Sequence, residues 1–371
     1  MKILEIVFSL TSGGAERFVV DLCNRYSKDT SNEIILLTLL DMNKFGNGHY
    51  LHDLSRNVRH INTNGLRGYS LKNLWMTYRI IKREKPDVVH AHCGILVLFL
   101  PSVFYRKIVY VHTIHSLVQR YSPGKIKTVI SRFLYKKGLV IPITISKICH
   151  QSYYDFYGLS NDIQIDNGRE QLVLTDLFPK VREEIDGYIK KQDTPIFIHV
   201  ARHHPVKNHE RLFKTFEKLE KENVDFQLIV IGDNYGELEK KYRNSKHIHL
   251  LGAKNNVGDY MSLADFFVLT SDAEGLPITL LEAMSLGVIP VCTPAGGVVD
   301  VIRNGENGFL SKEIDDDMFY DSVCQALNNR QLINKENIIN EFKSKYSMET
   351  CATRYYKVYQ QKIREREACF S

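Results

Sequence analysis

Four charged side chains carry the first chemical argument in this sequence. Arg202 and Lys207 lie in VARHHPVKNH (200–209), and Glu274 and Glu282 lie in TSDAEGLPITLLEAMSLG (270–287). Arg202 and Lys207 are five positions apart across a turn containing Pro205, directly after the apolar run Ile196–Val200. Two cations at the C-terminal end of a strand can converge on a diphosphate and stabilise it as a leaving group. The second stretch follows one apolar run (Phe266–Leu269) and precedes another (Val288–Val291). Between them come Gly275, Pro277 and a helical pattern in which Leu280, Leu281, Met284 and Leu286 can face inward, so a strand, a tight turn and a helix start are predicted. The helix start presents unpaired N–H groups at a sheet edge, where phosphates bind. Carboxylates beside a phosphate repel it, so Glu274 and Glu282 need another partner, and sugar hydroxyls are the natural one. The combination points to a nucleotide sugar. Solvated surface charge is the commoner fate of an isolated Arg or Lys, but the placement after a strand, repeated at Glu274, favours a ligand role.

Other residues offer weaker signals. SGGAER (Ser12–Arg17) follows the first apolar run. Its paired glycines suit either close backbone approach to a ligand or a tight turn that packs the first helix, and it is not the G-x-G-x-x-G dinucleotide fingerprint. His112 and His115 end the run Ile108–Val111 in VHTIHS, and His90 and His92 end another in DVVHAHCG. A histidine at such a place can exchange a hydrogen bond with a substrate hydroxyl or belong to the core. The four match no compact zinc spacing, and alternating strand residues are taken to point to opposite faces, so no metal site is expected. The acidic run Glu313–Asp317 precedes a helical stretch (Met318–Leu327) and reads as complementing that helix's dipole rather than as an Asp-x-Asp metal site. From Arg120 to Lys137 the chain carries Arg120, Lys125, Lys127, Arg132, Lys136 and Lys137 with no acidic residue, interspersed with Tyr121, Ile126, Val129, Ile130, Phe133 and Leu134. This basic, partly amphipathic helix suits an anionic membrane surface or a lipid-diphosphate acceptor, and equally an ordinary solvated face.

The elements that must hold these residues come in two series. Apolar, β-branched runs at Ile3–Phe8, Ile34–Leu40, Val88–Val89, Ile108–Val111, Leu139–Ile145 and Ile163–Ile165 alternate with amphipathic stretches such as Glu16–Tyr26 and Leu71–Lys85. The pattern restarts with Ile196–Val200, Phe226–Ile231, Ile248–Leu251, Phe266–Leu269, Val288–Cys292 and Gly308–Leu310. Strands alternating with helices mean βαβ units, so the class is α/β with two Rossmann-like parallel sheets. The polar stretch Phe178–Thr194, with a short helix at Val181–Ile189, is read as the linker. The expected division is an N-terminal domain 1–175, a C-terminal domain 190–350, and a helix within 351–371 crossing back to the first domain.

Composition agrees with two soluble domains. The 371 residues exceed one ordinary core, 44% are hydrophobic and 25% charged, and no apolar run is long enough for a membrane span. MKILEIVFSL contains Glu5 and runs straight into SGGAER, so a buried first strand is expected rather than a signal peptide. Seven scattered cysteines without a C-x-x-C pair suit a reducing cytoplasm, and a net charge of +6 is too modest for a dedicated nucleic-acid binder.

Taken together, these residues resemble the GT-B glycosyltransferases, specifically glycosyltransferase family 4. SGGAER resembles the family's N-terminal glycine turn, DVVHAH and VHTIHS two strand ends, and ITIS (Ile143–Ser146) the strand toward the hinge. VARHHPVKNH resembles the Arg-x4-Lys turn, EGLPITLLE the Glu-x7-Glu motif, and NGENGFL (Asn304–Leu310) the loop before the last strand. Two departures stand out: Ala201 where the family has glycine, and Arg169–Glu170 after Asn167–Gly168 where an apolar residue and an acid are usual. The resemblance implies two facing domains with the active site in the cleft, retention of anomeric configuration and no metal requirement. It implies that Arg202 and Lys207 hold the donor diphosphate, that Glu282 binds the ribose and that Glu274 touches the sugar hydroxyls. Backbone at Gly275, Leu276, Pro277 and Ile278 would assist with phosphate and sugar, and Gly14 would lie near the diphosphate. His115 would face the donor sugar, and the base would lie against Gly252, Ala253 and Lys254. No carboxylate pair suggests a covalent double displacement, so leaving-group stabilisation is the expected mechanism.

The expected protein is therefore a metal-independent, cytoplasmic enzyme, peripheral on the inner face of the membrane. It would take a UDP-sugar (favoured over a GDP-sugar) to a glycan or lipid-linked acceptor in polysaccharide biosynthesis. A nucleotide-sugar 2-epimerase would need the donor alone. A non-catalytic binding module would have no need of Arg202, Lys207, Glu274 and Glu282 together.

Overall fold

The computed structural model describes residues 1–11, 13–41, 48–66, 70–121, 124–191 and 193–370, without the side chains of 120, 121 and 370. The chain forms two compact units. One comprises residues 1–169 with 347–371, and the other residues 170–346.

The first unit is built on a seven-stranded, wholly parallel sheet: β1 (Lys2–Val7), β2 (Glu33–Leu40), β3 (Val58–Gly65), β4 (Val88–Ala91), β5 (Val109–Ile114), β6 (Ile141–Thr144) and β7 (Ile163–Gln164). Their order is β3-β2-β1-β4-β5-β6-β7. The chain winds outward from β1 on one side and from β4 on the other, and the crevice where the order reverses is the usual ligand position of such a sheet. The β1–β4 register pairs Glu5 with His90. Strands β1, β2, β4 and β5 are buried almost throughout, because helices cover both faces of a parallel sheet.

Strand β3, VRHINTNG, is absent from the series of apolar runs. It is an edge strand with Val58, Thr63 and Gly65 buried and the rest partly or fully exposed. Side chains anchor it instead: His60 Nε2 meets Thr38 Oγ1 at 2.9 Å, Asn62 donates to the same oxygen at 2.8 Å, and Thr63 donates to the Leu39 carbonyl at 2.7 Å.

The second unit repeats the plan with six parallel strands: β8 (Ile196–Val200), β9 (Gln227–Ile231), β10 (Ile248–Gly252), β11 (Phe266–Leu269), β12 (Ile289–Cys292) and β13 (Phe309–Leu310). The order β10-β9-β8-β11-β12-β13 reverses between β8 and β11, so VARHHPVKNH and TSDAEGLP leave neighbouring strands at the switch point.

The boundary falls at Arg169/Glu170 rather than within Phe178–Thr194. The helix Phe178–Asp186 is part of the second unit, because it buries Val181 and Ile185 and its Glu184 accepts from the Tyr260 hydroxyl at 2.8 Å. Thr175, placed in the first domain on sequence, is held in the second by backbone and hydroxyl bonds to Asp259 of 2.8 and 2.6 Å. The C-terminal helix Met348–Phe370 belongs to the first unit. Tyr355 and Tyr359 are buried there, their hydroxyls meeting Thr113 Oγ1 at 3.0 Å and His90 Nδ1 at 2.6 Å, and the Arg366 guanidinium donates to the Arg106 and Ile108 carbonyls at 2.6 Å.

Candidate active site

In the second unit the turn after β8 is shaped by its own side chains. His204 accepts from the Val206 amide at 3.2 Å, and Asn208, left-handed at φ 45°, caps the helix His209–Lys221 through the Arg211 amide. This turn is stitched to the end of β11: the Asp272 amide donates to the Val206 carbonyl at 2.8 Å, and Thr270 Oγ1 donates to the Lys207 carbonyl at 2.9 Å. Lys207 is thereby fixed beside Glu274, and its Nζ donates to Glu274 Oε1 at 2.6 Å. The second carboxylate oxygen of Glu274 has no partner among the described residues. Arg202 is exposed and has no ion-pair partner among them either.

After Glu274 the chain passes Gly275 and Pro277 into the helix Ile278–Ser285, whose N-cap Pro277 supplies no side-chain cap to its first amides. Leu280, Leu281 and Met284 are buried, and Glu282, half-buried, sits one turn into that helix. Gly252 ends β10 in the left-handed region at φ 69° with Ala253 and Lys254 beyond it, and its carbonyl accepts from the Gly232 amide at 3.0 Å. The structure thus puts Lys207 and Glu274 in contact and sets Arg202, Gly275–Ile278, Glu282 and Gly252–Lys254 in the C-terminal loops and helix starts of the same sheet.

Two residues here, Gly296 and Arg211, were not singled out on sequence. Gly296, left-handed at φ +58°, lies against the Glu274 backbone. Buried Arg211 holds the 270–272 turn through the Thr270 carbonyl and Asp272, both at 2.8 Å. Asp316 accepts from Arg211 and Lys214, while Asp315 caps the helix Asp316–Asn329. This acidic run therefore works as a helix start and an ion-pair partner.

In the first unit Gly14 is exposed and opens the helix Gly14–Tyr26, which has no side-chain cap; Ser12 of SGGAER lies outside the described residues. The histidines are organised around Glu5, which is fully buried in β1. Its Oε2 lies 2.8 Å from His92 Nε2 and 3.1 Å from His90 Nδ1, and His92 Nδ1 lies 2.9 Å from His115 Nε2. His90 and His92 therefore share one side of the sheet, with ring centroids 3.9 Å apart. The expectation of opposite faces is corrected: residues i and i+2 of a strand point the same way.

Burial pushes the Glu5 carboxyl up, but the charge and hydrogen bonds of His90 and His92 prevail and hold it at about 2. Burial lowers His92 to about 4 and His115 well below the ordinary histidine value. Glu5, His90 and His92 offer ligand atoms within 4.8 Å of one another, a spacing that could hold a metal ion. Those atoms are already bonded to each other, to His115 and to Tyr359. His112 is consumed within the core, with Nδ1 at 2.6 Å from the Tyr135 hydroxyl and Nε2 at 2.7 Å from the Cys93 carbonyl. His115 Nδ1, in contrast, is a buried atom with no hydrogen-bond partner among the described residues.

The departure at Arg169 has a structural explanation: its guanidinium pairs with buried Asp21, which also pairs with Arg17. In the basic segment, the helix Lys125–Lys136 turns Ser131, Leu134 and Tyr135 inward and leaves Ile126 77% and Val129 68% exposed beside Lys125, Arg132 and Lys136. The Arg120 and Tyr121 side chains lie outside those described. Among the described residues no helix is long and apolar enough to cross a membrane.

One family model, Glycosyl transferases group 1, matches residues 181–345, and another, Glycosyltransferase Family 4, matches residues 12–163. The chain is 29% identical over 174 residues to N-acetyl-alpha-D-glucosaminyl L-malate synthase of Bacillus anthracis, covering 44% of this chain and 45% of that protein. It is 26% identical over 286 residues to UDP-Gal:alpha-D-GlcNAc-diphosphoundecaprenol alpha-1,3-galactosyltransferase of Escherichia coli, covering 71% and 72%. The chain thus spans less than half the length of the first relative and nearly three quarters of the second. The crystal structure of Anabaena HepE in complex with UDP superposes with a TM-score of 0.77 at 17% identity, covering 97% of this chain and all of that one. That is a likeness of fold.

Proposed function

From the premise that this chain belongs to the GT-B glycosyltransferases, with a family 4 domain followed by a group 1 domain, we propose that it moves a sugar from a nucleoside diphosphate to a glycan acceptor. We favour a UDP-sugar donor, a lipid-linked acceptor, retention of anomeric configuration and no metal ion. The observation that carries this reading is the Lys207–Glu274 pair at the switch point of the second sheet. In the proposed reaction charge builds on the departing diphosphate, and Arg202, Lys207 and the amide N–H groups of Gly275, Leu276 and Ile278 stabilise it. Glu274 keeps one oxygen on Lys207 and offers the other to a sugar hydroxyl. Glu282 takes the ribose hydroxyls and Gly252–Lys254 the base. Glu274 is engaged by a cation rather than standing free as a nucleophile, which favours a direct route in which the leaving phosphate accepts the acceptor's proton. A UDP donor agrees with the ligand of Anabaena HepE, and a lipid-diphosphate acceptor with the diphosphoundecaprenol substrate of the E. coli galactosyltransferase.

A thermal-shift panel of UDP, GDP and their sugar conjugates tests the donor assignment. A ligand that binds only the folded chain stabilises it by about 2.7 kcal/mol at a hundredfold excess over Kd. UDP and UDP-sugars are expected to raise Tm, GDP less so, and no shift with any nucleotide overturns the reading.

The lipid-linked acceptor draws support from the outward apolar side of the helix Lys125–Lys136, flanked by basic residues. Each cation near an anionic surface adds about 1 kcal/mol of attraction. The chain is expected to sediment with vesicles containing phosphatidylglycerol, and I126E/V129E is expected to remain in the supernatant. Equal sedimentation of the variant refutes the membrane assignment.

A further inference from the structure

The chain Glu5–His92–His115 carries a direction that its hydrogen bonds fix. Glu5 is a buried carboxylate that can only accept, so His92 Nε2, 2.8 Å from Glu5 Oε2, carries the proton. His92 Nδ1 is then a bare lone pair, and at 2.9 Å it accepts from His115 Nε2–H. His115 is left with a bare Nδ1, the atom without a partner among the described residues. Phe18 packs edge-on against His115 at 5.4 Å and tilted against His92 at 5.8 Å, which restrains both rings. The arrangement follows the general rule that the bond at one ring nitrogen decides what the other can do.

We propose that Glu5 and His92 are positioning residues that lock His115 in its Nε2–H form, so that Nδ1 acts only as an acceptor for a substrate hydroxyl. This rests on the proposed sugar transfer, which supplies hydroxyl-bearing substrates. A freely tautomerising imidazole at this place would donate as often as accept. The locked ring selects a hydroxyl that gives its proton and gains negative character on oxygen. The hydroxyl belongs either to the donor sugar or to the acceptor, and both present the same chemistry.

The experiment uses the full chain labelled with 15N-histidine. Long-range proton–nitrogen spectra, with His115 assigned through H115Q, report which ring nitrogen is unprotonated. Wild type is expected to show Nδ1 of His115 unprotonated near neutral pH. H92F keeps a ring but removes the acceptor, and is expected to mix the two tautomers and to lower transfer turnover about tenfold, the scale of one lost hydrogen bond. H92Q, whose amide oxygen can accept from His115 Nε2–H, is expected to restore the single tautomer and most of the turnover. UDP contains no transferred sugar, so its affinity should be the same in all three proteins. A slower acceptor-independent hydrolysis of UDP-sugar in H92F places the hydroxyl on the donor, and a loss confined to transfer places it on the acceptor. If UDP binds H92F normally while tautomer and turnover stay at wild-type values, the relay is wrong. If UDP fails to bind the wild type, the functional reading is at fault, and the tautomer spectra still judge the relay. H92Q that folds and binds UDP but shows no recovery likewise overturns the assignment.

Discussion

Lys207→Ala is expected to lower kcat/KM for sugar transfer by about 10²–10³-fold, the range for removing one preorganised group that stabilises developing charge. Lys207 is held at both ends, its carbonyl by Thr270 and its ammonium by Glu274, so it needs little reorganisation when charge appears. The side chains of Lys207 and Glu274 are 25% and 12% exposed, partly shielded from the solvent that would weaken the pair at an open surface. The alanine variant also leaves Glu274 without its cation beside a diphosphate, which adds repulsion to the lost attraction. Glu274→Gln separates the two effects, because it preserves shape and leaves Lys207 fully available to phosphate. Its UDP affinity should hold or rise while turnover falls, since only the hydroxyl contact weakens. Arg202→Ala removes an exposed cation and should cost less than Lys207→Ala. Initial rates with calorimetric UDP titration check all three, with melting curves to establish folding. A folded Lys207→Ala enzyme with near-normal kcat/KM would sink the leaving-group mechanism.

What could be read from the sequence was whatever short-range pattern encodes. Parallel sheets bury both faces, so all strands but β3 stood out as apolar runs, and the side chains just after them were the natural site candidates. Strand β3 escaped because its partners are side-chain hydrogen bonds to β2, which leave no hydrophobic trace. Contacts between distant parts of the chain escaped for another reason. Glu5 read only as a residue unsuited to a signal peptide, yet it meets His92, 87 positions away, because β1 and β4 are neighbours. Arg169 reads as a departure from a family pattern until Asp21, 148 positions away, proves to be its partner. The polar stretch after Phe178 looked like a linker because its helix, Phe178–Asp186, buries only Val181 and Ile185, too few to mark a domain by composition.

Gly296→Ala is expected to damage both the stability of the second unit and its donor site, although no sequence motif points to this residue. Gly296 sits at φ +58°, and a Cβ there would lie 1.8 Å from the carbonyl oxygen of Glu274. Neither obstacle can relax through a flexible side chain, because the atom in the way is backbone. The neighbouring Gly297 amide donates to the Gly275 carbonyl at 2.7 Å, and Thr293 Oγ1 donates to the Ser271 carbonyl at 2.6 Å, so this loop supports the site turn directly. Left-handed strain of about 1–2 kcal/mol and overpacking of about 1–3 kcal/mol give roughly 3 kcal/mol together, or a Tm lower by about 6–12 °C. Relief that shifts the Glu274 backbone disturbs the contact of its side chain with Lys207, so a raised donor KM should accompany the lower Tm. Gly305→Ala is the matching control, since Gly305 is also left-handed at φ +79° but a Cβ there meets nothing within 4 Å. It should cost about 1–2 kcal/mol from backbone strain alone and leave donor kinetics unchanged. If the two variants melt together and turn over alike, the Gly296 loop is not what holds Glu274 in place.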